Sequence, residues 1–127
     1  MTLVVDTSVW LEILLAQPLG VACQKEIKSK TIFIPSLCFY ECFKKLRSKC
    51  SDHESIEAVS VLYQYPHLDL SPEIALAAAD LSLEFKLGMA DGLVLAHARA
   101  IDAVLLTLDN DFASIPGVKV LRSKHES

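Results

Sequence analysis

Apolar residues recur along this chain in two rhythms. Leu3-Val4-Val5 is a short continuous apolar run, followed at once by Asp6-Thr7-Ser8, and Val9, Trp10, Ile13 and Leu14 then return at three- and four-residue spacing. That pattern predicts a buried strand, a helix N-cap and an amphipathic helix. A second short helix is expected after Pro18, running to about Lys28, and Thr31–Ile34 reads as a strand closed by Pro35-Ser36. From Leu37 to about Cys50 the positions Phe39, Cys42, Phe43, Leu46 and Cys50 trace a helical stripe. Ser51-Asp52 caps a further helix, about Ser55 to Tyr65, with Ile56, Val59, Leu62 and Tyr63 on its apolar face. His67–Leu70 is a marginal strand. Ser71-Pro72-Glu73 opens a long Ala/Leu-rich helix with Gly88 in the C-cap place. Ala90-Asp91 starts the next helix, about Gly92 to Ala100, and Ala103–Thr107 and Val118–Leu121 complete the strands.

Strands that are continuous apolar runs, separated by helices, imply a parallel sheet covered on both faces. With right-handed crossovers the result is an α/β fold, a three-layer α/β/α sandwich around four to five parallel strands. Ligands in such sheets collect beyond the carboxyl ends of the strands, where the strand order reverses.

Size and composition narrow the picture. The 127 residues, 52% hydrophobic and 22% charged, suit one domain over residues 1–122 followed by a polar tail at 123–127. No apolar stretch approaches the roughly 18–20 residues of a membrane span. MTLVVDTSVW has no basic n-region, so a cytoplasmic protein with no membrane partner is expected, and Cys23, Cys38, Cys42 and Cys50 read as reduced, mostly buried thiols rather than zinc ligands. The net charge of −4 is uneven: Lys44, Lys45, Arg47 and Lys49 crowd one stretch, while residues 69–111 hold eight acids against Lys86 and Arg99. A local basic strip can bind phosphate on a molecule that is acidic as a whole. A solvated helix face accounts for the strip equally well.

The carboxylates carry the chemistry. Asp6 directly follows the first strand, and Asp109 and Asp111 follow the strand at 103–107, so all three sit at carboxyl ends of parallel strands. Asp91 opens a helix that faces the same edge if it packs beside the first strand, and Glu41 is a lone acid in an apolar helix segment. Each has a structural alternative. Asp6 and Asp91 read equally as helix caps, Glu41 as a partner of Lys45 one turn on, and Asp109-Asn110-Asp111 as a turn. Together, however, four or five converging carboxylates repel, and a cation relieves that repulsion. Oxygen-only ligands favour Mg2+ or Mn2+ over zinc, and such a site suits phosphodiester chemistry by metal-activated water.

The ordered set Asp6-Thr7-Ser8, Glu41, Ala90-Asp91 and Thr107-Leu108-Asp109-Asn110-Asp111-Phe112 resembles the PIN-domain ribonucleases, in particular the VapC-like toxins of VapBC toxin–antitoxin systems. The resemblance implies a metal-dependent endoribonuclease, with Asp6, Glu41, Asp91 and Asp109 as catalytic, metal-binding acids. It makes Ser8 and Thr107 hydroxyls that orient carboxylates or water, and Asp111 either a second-metal ligand through water or a turn-shaping residue. It further implies an RNA substrate, a cognate antitoxin and a homodimer. Two rivals share some of these features. A haloacid-dehalogenase-like phosphotransferase would need an Asp where Ser8 stands, and a PIN-like scaffold would bind RNA or a protein without cutting. A P-loop or dinucleotide-binding protein is excluded, because no Gly-rich turn follows any strand.

Overall fold

The structure is a computed structural model, and it describes residues 1–122; the polar tail expected at 123–127, with His125, lies outside the described residues. Chain order runs β1 (Thr2–Val5), α1 (Thr7–Leu14), α2 (Gly20–Ile27), β2 (Thr31–Pro35), α3 (Ser36–Lys49), α4 (Asp52–Val59), β3 (His67–Leu68), α5 (Pro72–Phe85), α6 (Met89–Ala100), β4 (Val104–Thr107) and β5 (Val118–Val120), with 3-10 turns at Ser60–Gln64 and Asn110–Phe112. All strand pairs are parallel, in the order β3-β2-β1-β4-β5. The α/β sandwich expected from the apolar rhythm is therefore present, with five strands.

Right-handed crossovers explain the layers. The chain moves outward from β1 to β2 to β3, which puts α1–α4 on one face; it then crosses back to β4 through α5 and α6, which puts those two on the other. Contacts between α1 and α2, α1 and α3, and α3 and α4, and separately between α5 and α6, follow that division. The reversal falls between β1 and β4. Leu3, Val4 and Val5 are buried in the central strand, as are Leu105 and Leu106 in β4, Ile34 in β2 and Trp10 and Phe112 at their carboxyl ends.

Local chemistry sets the helix bounds. Ser51 accepts from the Glu54 N–H and Glu54 reaches back to the Ser51 N–H, a reciprocal cap that starts α4 earlier than its apolar positions suggest. The chain then tightens at Ser60–Gln64, and with three residues per turn the apolar stripe loses register. Leu62 is buried, but Ile56 and Tyr63, expected on the inner face, are exposed. The end of α5 also differs from expectation. Gly88 is the residue before α6, and the left-handed cap is Lys86 at φ 57°. Helix α5 packs so closely on α6 that a Cβ at Gly92 would stand 2.1 Å from Ser82 Oγ and 3.0 Å from the Ala78 carbonyl oxygen.

Candidate metal centre

Asp6 is the first residue beyond β1, and its N–H extends the ladder to the Leu106 carbonyl at 2.9 Å. It occupies the N-cap position of α1, yet its side chain makes no capping bond. The carboxylate turns instead toward β4. Oδ2 accepts from Thr107 Oγ1 at 2.8 Å and from Ser8 Oγ at 3.2 Å. Each hydroxyl has one proton, and both are spent on Asp6; their lone pairs remain, and Ser8 Oγ accepts from the Leu108 N–H at 3.0 Å while Thr107 Oγ1 accepts from the Asp109 N–H at 3.1 Å. Two hydroxyls thus bolt the end of β1 to the end of β4. Asp6 is 7% exposed. Burial raises its pKa, the bonds from Thr107, the Thr7 backbone and Ser8 oppose that rise, and the nearby Glu41 charge adds to it.

Thr7 and Ser8, adjacent on a helix, point in different directions. While Ser8 reaches β4, Thr7 Oγ1 donates to Glu41 Oε1 at 2.8 Å and fixes the acid on α3. The resemblance assigns Thr7 no role of its own; its signal in the sequence is the hydroxyl pair itself, one member for each neighbouring element. The pairing of Glu41 with Lys45 allowed by their spacing does not occur among the described residues.

Asp91 stands in the first turn of α6, delivered over the sheet edge by the tight α5–α6 contact. Asp109 follows β4 and caps the 3-10 turn, its Oδ1 accepting from the Asp111 N–H at 2.8 Å. One carboxylate oxygen from each of Asp91, Asp109 and Asp111 lies within 4.8 Å of the others. Asp111, whose part the sequence leaves open, therefore joins the same group of oxygens as Asp91 and Asp109. Asp91 feels the whole group: burial first, then the charges of Asp6, Asp109, Asp111 and Glu41, push its pKa up to about 6. Asp6 and Asp109 stand just beyond the carboxyl ends of β1 and β4, where the strand order reverses, and their charges, with those of Asp111 and Glu41, reach Asp91.

No side-chain cation pairs with them among the described residues. Among the described residues the ion pairs join Arg47 to Asp52, His53 to Glu57, His67 to Asp69 and Lys119 to Glu26, and none includes these five acids. The donor set is all oxygen. Cys38 and Cys42 are buried beside it, but burial raises both thiols, Cys42 to about 12, so neither offers a thiolate. Oxygen atoms within 4.8 Å of one another suit a hard divalent ion bound at about 2.0–2.6 Å. The residues fit Mg2+ or Mn2+.

The remaining sequence candidates separate. Arg47 is paired with Asp52 and lies over the Phe43 ring at 4.6 Å, so it braces α3 against α4. Lys49 is exposed in the last turn of α3. Lys44 and Lys45 are exposed, one turn beyond Glu41. Phe112 and His97 are buried, and Trp10 packs its ring against Tyr65 at 5.3 Å.

A model of the family described as PIN domain matches residues 3–118. No curated protein matches the chain significantly. Several solved structures share its fold. A toxin–antitoxin complex from Klebsiella pneumoniae superposes with a TM-score of 0.81 at 22% identity, over 92% of this chain and 95% of the other. VapBC2 from Rickettsia felis, bound to a DNA fragment from its promoter, gives 0.76 at 20% over 95% and 98%. The sarcin–ricin-loop-cleaving toxin VapC20 from Mycobacterium tuberculosis gives 0.76 at 16% over 93% and 98%.

Proposed function

Because the chain belongs to the PIN domain family, we propose that it is a divalent-metal-dependent endoribonuclease, the toxin of a type II toxin–antitoxin pair acting in the cytoplasm. The observation that carries this reading is the grouping of Asp91, Asp109 and Asp111 oxygens within 4.8 Å of one another. The Asp6 and Glu41 charges act on the same site, and none of the five acids has an ion pair among the described residues. The fold likeness to a sarcin–ricin-loop-cleaving toxin supports it.

Asp91, Asp109 and Asp111 would hold the ion, with Asp6 and Glu41 completing the negative wall. A bound Mg2+ or Mn2+ supplies the acidity that activates water near neutral pH and the counter-charge for the leaving oxygen. The chain's own work is positioning. Thr107 and Ser8 lock the Asp6 carboxylate, Thr7 locks Glu41, and Asp109 orders the turn that presents Asp111. No histidine among the described residues stands in the cluster to act as a general base, so the proton of the attacking water leaves to a carboxylate or to solvent.

An antitoxin and a second copy of the chain complete the proposal. Complexes with antitoxins are among the structures of the same fold. Leu70, Leu83 and Met89 are exposed around an apolar hollow of about 610 Å³ on the α5–α6 face, a surface suited to self-association.

Incubating the protein with an end-labelled RNA pool in Mg2+, Mn2+ or EDTA tests the activity. Internal cuts that require metal and disappear in Asp91→Asn are expected. RNA that stays intact in every metal favours the scaffold reading.

A further inference from the structure

Beyond Glu41, α3 carries a second feature of different chemistry. Tyr40, Glu41, Lys44, Lys45 and Ser48 line an open cavity of about 390 Å³, within the size range of ligand sites. Residues 41, 44, 45 and 48 lie at three- and four-residue spacing, so they form one stripe along the helix. Glu41 belongs both to this wall and to the acidic centre. Tyr40 is an aromatic residue left 63% exposed, and Lys44 Nζ lies 5.7 Å from the centre of its ring. Neither Lys44 nor Lys45 has an ion pair among the described residues, whereas Arg47 is engaged with Asp52.

Tyr40 offers an exposed phenol, with Lys44 resting over the ring until a base displaces it, beside two ammonium groups outside any ion pair among the described residues. Together they match the needs of an unpaired nucleotide: a surface on which a base stacks, and cations for the phosphate that follows. A duplex keeps its bases stacked within the helix and cannot use the tyrosine. An acidic peptide would use the lysines and leave the ring idle.

We infer that this cavity is a subsite for a single-stranded nucleotide next to the cut phosphate, with its base on Tyr40 and its phosphate between Lys44 and Lys45. The subsite deepens the nuclease reading and rests on it for its place in the reaction; the binding itself needs no cleavage. Tyr40→Ala and Tyr40→Phe should both fold, since the ring lies largely in solvent.

The test is fluorescence anisotropy with a fluorescein-labelled single-stranded oligoribonucleotide and a duplex of the same sequence, at low salt in EDTA. Tyr40→Ala should weaken single-strand binding about tenfold and leave duplex binding unchanged, while Tyr40→Phe keeps the wild-type affinity. Lys44→Ala with Lys45→Ala should flatten the slope of log affinity against log salt by about 1.4. Wild-type single-strand binding by Tyr40→Ala, or equal loss for both ligands, overturns the assignment. If Tyr40→Ala loses single-strand binding in a protein that cuts RNA in no metal, the subsite stands and the nuclease reading falls. If cutting requires metal and binding is indifferent to Tyr40, the nuclease reading stands and the subsite falls.

Discussion

Asparagine at position 91 keeps the shape of the aspartate side chain and removes its charge. In the metal-free fold that charge is unfavourable, because burial and four neighbouring acids raise the Asp91 pKa from 3.8 to about 6. Two pKa units correspond to about 3 kcal/mol; Asp91 is only partly buried, and solvent screening reduces the effect to about 1–2 kcal/mol. The sign follows from proton linkage. Below 3.8 the folded and unfolded chains both carry the proton and the penalty is absent; it grows as pH rises and is complete above about 6. Asp91→Asn escapes it. In EDTA near pH 7.5 the variant should therefore melt roughly 5 °C above wild type, and near pH 3 the two should coincide. Adding Mn2+ at pH 7.5 should reverse the order, since saturating the site to 100 times its dissociation constant stabilises wild type by about 2.7 kcal/mol. Cutting should fall by more than about a hundredfold. Calorimetry across pH, with and without metal, follows the stability changes, and the labelled-RNA assay follows the cutting. An Asp91→Asn protein no more stable than wild type at pH 7.5 in EDTA, or equally advantaged at both pH values, would refute the electrostatic account.

Three further outcomes follow from the packing. Thr107→Val removes the hydroxyl that donates to Asp6 and accepts from Asp109, both at a fully buried position; urea unfolding should show a loss of about 1.5–3 kcal/mol. Gly92→Ala drives a methyl into Ser82 Oγ and should destabilise by about 1–3 kcal/mol. Ser82→Ala removes that oxygen and should recover part of the loss in the double variant, whereas strictly additive effects would deny the contact. Lys86→Gly relieves a left-handed backbone at φ 57° and should raise stability by about 0.5–1 kcal/mol, read from the urea midpoint.

The sheet was legible because β1 and β4 are buried on both faces, and an unbroken apolar run such as Leu3-Val4-Val5 states that directly. Asp6 and Asp109 were legible for a related reason: a polar residue that ends such a run lies at a strand's carboxyl end wherever the helices settle. The places of Asp91 and Glu41 depend instead on how α6 and α3 pack. Other features depend on contacts that spacing does not encode. Tyr63 is expected inside and is exposed, because a 3-10 turn replaces the helix at Ser60 and rotates the stripe. Gly88 suggests a cap, yet the chain turns two residues earlier at Lys86. Thr7 gains its partner only when α1 packs on α3. The nearness of Asp111 to Asp91 arises from the turn that Asp109 organises, a bond between neighbours that acts on a residue distant in sequence.

The acids come from positions 6, 41, 91, 109 and 111, and β4, which delivers the last two, fits between β1 and β5. During synthesis a ribosome has released the first acid long before it makes the last. Until then the half-made polypeptide has only β3, β2 and β1, with β1 left as an open edge. An acidic group built in this order is complete only once residue 111 has been made and β4 has added beside β1.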